Sequence, residues 1–314
     1  MSDTSLITNT SCLHVSDVDA SVKWYEDAFG VSVIHKLSTE KFTSAFVAVD
    51  AKRHPDAGLP VSQRDGVIEL RQLKGEAAKP KVEIHNGNTE PYKGFGHLCF
   101  AVSNIAEAQK HLLSQGVEFK KKLEDGRQKN IAFVLDPDQY WVELIENGID
   151  KEEGYKLASN RMNHTMVRVK DPVRSLEFYR GVLGMKLFSK REFPDAQFTL
   201  YFVGYDHTEG YTEGKEQSVE QASRQSIIEL THNWGTENDS SFKGYYVFGG
   251  TNHNDDSVVG FDHFSVSCKD SGKFLKELTS RQVIFLHRDI EAATATVTDP
   301  DGWRVGIHSY DYLK

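Results

Sequence analysis

The chain has 314 residues, of which 39% are hydrophobic and 26% charged, with a formal net charge of −9. That size reads as two domains, each able to bury a core. The charge argues against a nucleic-acid surface, no apolar run is long enough for a membrane span, and three scattered cysteines cannot build a disulfide framework.

Reduced cysteines, and an N-terminus Met1-Ser2-Asp3-Thr4 without basic and apolar regions, lead us to expect a cytoplasmic protein. In chain order, Leu13 and Val15 open a first strand. Val22, Trp24, Tyr25 and Phe29 follow at helical spacing, with Gly30 as the C-cap signal. Residues 45–49 and 67–70 read as strands. A second module starts at His97, runs through a helix from Ile105 to Leu113 closed by Gly116, and ends in strands at 131–134 and 141–144. Two more modules open at His164 and His263. Polar stretches at about 206–226 and 235–258 read as loops.

The last two modules repeat the first two. Arg168-Val169-Lys170-Asp171 follows His14-Val15-Ser16-Asp17 at an offset of 154, and Tyr179 and Gly184 follow Tyr25 and Gly30. Ile228-Glu229-Leu230 matches Ile68-Glu69-Leu70, Gly260-Phe261-Asp262-His263 matches Gly94-Phe95-Gly96-His97, and Asp299-Pro300-Asp301 matches Asp136-Pro137-Asp138. One duplication implies two similar facing domains rather than a solenoid. The expected units are residues 8–148 and 160–312, joined by the polar stretch 148–154.

Four βαβββ modules with His and Glu on their strands resemble the vicinal-oxygen-chelate superfamily. Glu229-Leu230-Thr231-His232-Asn233-Trp234-Gly235-Thr236-Glu237 resembles the glyoxalase I signature. So do Gly94-Phe95-Gly96-His97, the run 126–133 and the run 136–143. The likeness covers about residues 8–310 and is greatest to the fused two-domain glyoxalase I of fungi. It implies an α+β fold of two tandem domains with two half-barrel clefts.

The resemblance also implies a metal site, with one ligand on the opening strand and one on the last strand of each contributing module. The four modules supply Thr10 with Glu69, His97 with Glu143, His164 with Glu229, and His263 with Gly306. Pairing within each repeat gives two three-ligand sites. Pairing across the repeats, as in the family, gives one site with His97, Glu143, His164 and Glu229 and a degenerate one with Glu69 and His263. A lone His or Glu on a strand is usually structural; four at the family positions are not. Two imidazoles and two carboxylates suit one Zn, Ni or Co better than Ca or Mg, and Zn is expected.

The implied reaction isomerises the hemithioacetal of glutathione and methylglyoxal to S-lactoylglutathione, with Glu143 as principal base and Glu229 as its partner. Glutathione brings two carboxylates, for which the matching residues are Arg168, Asn233, Lys93, Lys121 and Arg127. Ile131, Phe193, Leu200 and Phe202 would enclose the methyl group. The outer modules have His14, Leu73 and Val259 in place of Arg168, Asn233 and Lys93, so metal and glutathione functions have been lost together there. With Leu73, Val259 and Gly306 replacing polar groups, the degenerate cleft is expected to be filled by side chains. The expected partner is a small molecule, with no nucleic acid or membrane, and the chain is expected to be a monomer. Two readings compete: an extradiol dioxygenase, with Fe(II) in a two-His, one-carboxylate triad, and a metal-free ligand-sequestering module.

Overall fold

A computed structural model describes residues 5–50, 52, 56–78, 82–147, 154–207, 225–249, 257–289 and 291–313. The domain junction and most of the first polar loop lie outside them. The second polar stretch is only partly a loop. Tyr245, Tyr246 and Val247 are buried in it, and it ends in a short strand.

The first module comprises β1 (Ile7–His14), α1 (Val18–Phe29), β2 (Val31–Ser38), β3 (Phe42–Val49) and β4 (Val67–Leu73). After the two-residue β5 (Glu83–Ile84), the second has β6 (Phe95–Val102), α2 (Ile105–Ser114), β7 (Phe119–Lys121), β8 (Ile131–Leu135) and β9 (Trp141–Glu146). The third has β10 (Arg161–Val169), α3 (Pro172–Leu176), β11 (Lys186–Phe193), β12 (Phe198–Gly204) and β13 (Ile227–Asn233). After β14 (Val258–Val259), the fourth has β15 (Phe261–Cys268), α4 (Ser271–Ser280), β16 (Phe285–Asp289), β17 (Thr294–Thr298) and β18 (Arg304–Ser309).

Local chemistry sets these elements. The side chain of Asp17 accepts from the backbone N–H groups of Asp19 and Ala20 at the start of α1, and Gly30 ends it at φ 69°. Val18, Val22, Tyr25 and Phe29 lie on its buried face. Asp171 caps α3 in the same way, but the third-module helix continues as a π turn over Glu177–Val182. Pairs at i, i+5 such as Leu183 N to Phe178 O replace the α-helical ladder there. Among the described residues, no helix is long and apolar enough to cross a membrane.

The sheets do not follow the repeats. One eight-stranded sheet has the order β16-β17-β18-β15-β1-β4-β3-β2, built from the first and fourth modules. The other, β11-β12-β13-β10-β6-β9-β8-β7, is built from the third and second. Each is joined at its centre by an antiparallel pair from different repeats, β1 with β15 and β10 with β6. The sheets curl around two clefts without closing into a barrel. A shared core connects them, with Phe29 stacked on Phe100 at 4.1 Å and Phe95 on Phe261 at 4.7 Å. Ser11 and Thr165, equivalent positions of the two repeats, share a hydrogen bond of 2.6 Å between the central strands.

Candidate active site

The inner-module sheet brings His97, Glu143, His164 and Glu229 together. In-register pairing places Met166 of β10 opposite both Glu229 and His97, and Glu143 opposite Cys99. Alternation along each strand then turns the four side chains to the concave face. All four are buried, and their ligand atoms lie within 4.8 Å of one another. His164 Nε2 is 3.0 Å from Glu229 Oε2, 3.2 Å from Glu143 Oε2 and 3.2 Å from His97 Nε2. His97 Nε2 is 3.4 Å from Glu143 Oε2. Donors about 2.1 Å from a common ion lie about 3 Å apart when adjacent, so this set fits a single divalent ion. The side-chain oxygen of Asn163 meets His164 Nδ1 at 2.6 Å, fixing Nε2 toward the cluster. Thr231 donates to Glu229 Oε1 at 3.1 Å.

The electrostatics agree with the geometry. Burial disfavours the Glu143 carboxylate, yet hydrogen bonds from His164 and His97 outweigh it and hold the group well below the usual range. Burial likewise opposes charge on His164, but Cys99, Glu143 and Glu229 raise it well above an ordinary histidine. Burial drives the Cys99 thiol up to about 12, which removes it as a nucleophile.

The cluster forms the base of a cleft of about 580 Å³, within the size range of small-molecule sites. Lys93, Arg168, Asn233, Ile131, Phe193, Leu200 and Phe202 line it. Two of the proposed cations are elsewhere. Lys121 donates to the carbonyls of Gln128 and Ile131, both at 2.7 Å, and does not line the cleft. Arg127 is 92% exposed and 3.4 Å from Asp195, although its neighbour Gln128 reaches the lining. Arg168 lines the cleft, but its Nη1 donates to the carbonyls of Gly87, Gly94 and Phe95 and its Nη2 to Asn88. Strand alternation would have found Phe133, two positions from Ile131, and Met166, between His164 and Arg168. Asn163, off that alternation, had no sequence signal.

The outer-module sheet forms a second cleft, and it is not filled. Its volume is about 540 Å³. The expectation failed because Leu73 and Val259 do not line it, whereas Thr10, Thr296 and Gly306 are small and leave space. Its base holds another cation. Arg71, where the inner module has Thr231, donates to Glu69 at 2.8 and 3.0 Å and to Asp262 at 2.7 Å. Asp262 stands where the inner module has Gly96. A Cβ at Gly96 would collide with the Met166 sulfur; in the outer module the smaller Cys12 takes the place of Met166, opposite His263 and beside Asp262. Cys12, Asp262 and His263 also lie within metal-ligand reach of each other. A guanidinium on Asp262 and burial of the Cys12 thiol, which raises it well above the ordinary range, both oppose an ion there.

The Glyoxalase/Bleomycin resistance protein/Dioxygenase superfamily matches residues 8–144 and 161–307. The chain belongs to this superfamily. Among its superfamily relatives, it is 43% identical to "Glyoxalase I" of Saccharomyces cerevisiae over 283 residues, 88% of this chain and 82% of that protein. It is 37% identical to "Lactoylglutathione lyase" of Schizosaccharomyces pombe over 304 residues, 95% of each chain. The crystal structure of glyoxalase I from Zea mays shares this superfamily fold with a TM-score of 0.68 at 23% identity, covering 98% of this chain and 93% of that one.

Proposed function

We propose that this chain is a metal-dependent lactoylglutathione lyase, which isomerises the hemithioacetal of glutathione and methylglyoxal to S-lactoylglutathione. The observation that carries this reading is two carboxylates and two imidazoles converging at the base of an aromatic-lined cleft. A bound divalent ion, zinc in our reading and nickel or cobalt as alternatives, supplies Lewis-acid polarisation of the substrate oxygens.

The chain's own residues do the rest. Glu143 takes the proton from substrate C1 and returns it to C2, and Glu229 does so for the opposite epimer. Asn163 holds the His164 ring. Lys93, Arg168 and Asn233 lie where glutathione carboxylates would be met, and Arg127 would join them by a rotation of its exposed side chain. Lys121 acts through the 128–131 backbone. Ile131, Phe193, Leu200 and Phe202 enclose the methyl group and exclude water. We place the enzyme in the cytosol as a monomer with domains 8–148 and 160–312.

The second carboxylate speaks against the two-His, one-carboxylate iron site of an extradiol dioxygenase. A thioester absorbance assay with methylglyoxal and glutathione, with and without chelator, tests the reading. Chelator-sensitive thioester formation is expected. Its absence in metal-loaded protein would leave a dioxygenase or a sequestering module.

A further inference from the structure

The outer cleft has not been abandoned to packing, because its lining has become more polar. Thr296, Arg304 and His308 stand where the inner cleft has Phe133, Trp141 and Ile145. Arg71 is consumed by its ion pairs, with Nε and Nη2 on Glu69 and Nη1 on Asp262. Arg304 is not. Its Nη1 donates to Asp262 at 2.9 Å, and its other N–H groups meet no acceptor among the described residues. Its guanidinium lies 5.4 Å over the Phe248 ring and is 24% exposed. Gly249 leaves it that space, since a Cβ there would collide with Nη2. Asp262 is thus shared by two guanidiniums.

We propose that this outer cleft is a second ligand site, which takes a small monocarboxylate with a short apolar body. The carboxylate meets the unengaged edge of Arg304, whose planar fork matches two oxygens. Phe42, Phe46, Val61 and Leu286 give the body an apolar wall. A dicarboxylate the size of glutathione is disfavoured, because Val259 and Leu73 replace the residues equivalent to Lys93 and Asn233. A metal is disfavoured because Arg71 already serves Glu69 and Asp262.

The test is calorimetric titration of metal-loaded enzyme with benzoate and hexanoate, using benzamide and hexanamide as neutral controls. Saturable binding of a carboxylate, at least about ten-fold tighter than its amide, is expected, in line with a hydrogen bond to a charged group. Arg304→Gln should remove it while kcat/KM for the lyase reaction is kept. Thr296→Phe, which leaves every charge in place and fills the cleft, should remove it too and stands alone if Arg304→Gln fails to fold. No saturable binding overturns the proposal, as does equal binding of the amides. So does binding that survives Thr296→Phe and is displaced by S-hexylglutathione, which would place the carboxylate in the inner cleft.

Discussion

Arg71 donates through Nε and Nη2 to a single oxygen of Glu69, at 3.0 and 2.8 Å. Glu69 is the counterpart of Glu229, whose carboxylate lies 3.0 Å from His164. The same strand position thus carries a carboxylate in both clefts, facing a fixed guanidinium in one and an imidazole cluster in the other.

Metal content follows from that difference. One tightly bound divalent ion per chain is expected by elemental analysis. Glu69→Gln should leave it unchanged, whereas Glu143→Gln and Glu229→Gln should weaken retention. A ratio near two, lowered by Glu69→Gln, would place a second ion in the outer cleft.

Glu143→Gln keeps size and shape but cannot accept a proton. A fall in kcat of at least about 10²-fold is expected from steady-state assays of metal-loaded protein. Wild-type turnover would remove Glu143 from the role of base. Glu229→Gln should also depress activity.

Asn163→Ala removes the contact that fixes the His164 ring. Metal affinity should fall by about 10- to 100-fold, measured by competition with a chromophoric chelator. Unchanged affinity would show that packing alone orients the ring.

The two arginines should separate. Arg127→Ala removes an exposed cation and should raise KM without lowering Tm. Arg168→Ala strips a half-buried donor from three carbonyls and should lower Tm as well as raise KM. Thermal melts beside the kinetics check this, and equal Tm values would return Arg168 to a purely substrate-facing role.

Stability should also depend on two buried turn aspartates. Burial pushes Asp136 up to about 7, and burial with the charge of Asp301 pushes Asp299 up to about 8. Both values lie above the unfolded range, so the native state binds more protons between about pH 4 and 8. The contribution of these groups is therefore greatest at the acid end and is lost as pH rises through that window. Tm measured from pH 5 to 8 should fall less steeply in Asp136→Asn and Asp299→Asn than in wild type.

Much of the site was legible because strands write alternation into sequence. His97, Glu143, His164 and Glu229 stood at matching positions of four modules, and the concave-face aromatics followed the same period. Side chains that end far from their own backbone were not legible. Lys121 turns onto neighbouring carbonyls and Arg168 onto the 87–95 loop, because a carbonyl has two lone pairs and can accept from a long cation as well as from the backbone.

The sequence by itself determined the duplication, the four modules and the places of His97, Glu143, His164 and Glu229 within them, since these depend on local pattern and on comparison of one repeat with the other. Pairing of modules across the repeats was expected from the resemblance and is seen in the strand order; only the tertiary structure decided that the outer cleft is open. Its openness depends on Cys12 standing opposite His263, on Gly249 making room for Arg304, and on Arg71 turning to Glu69. Two of those pairings join residues 55 and 251 positions apart through the hydrogen-bond register and packing of the folded chain, so no reading of neighbours along the sequence can supply them.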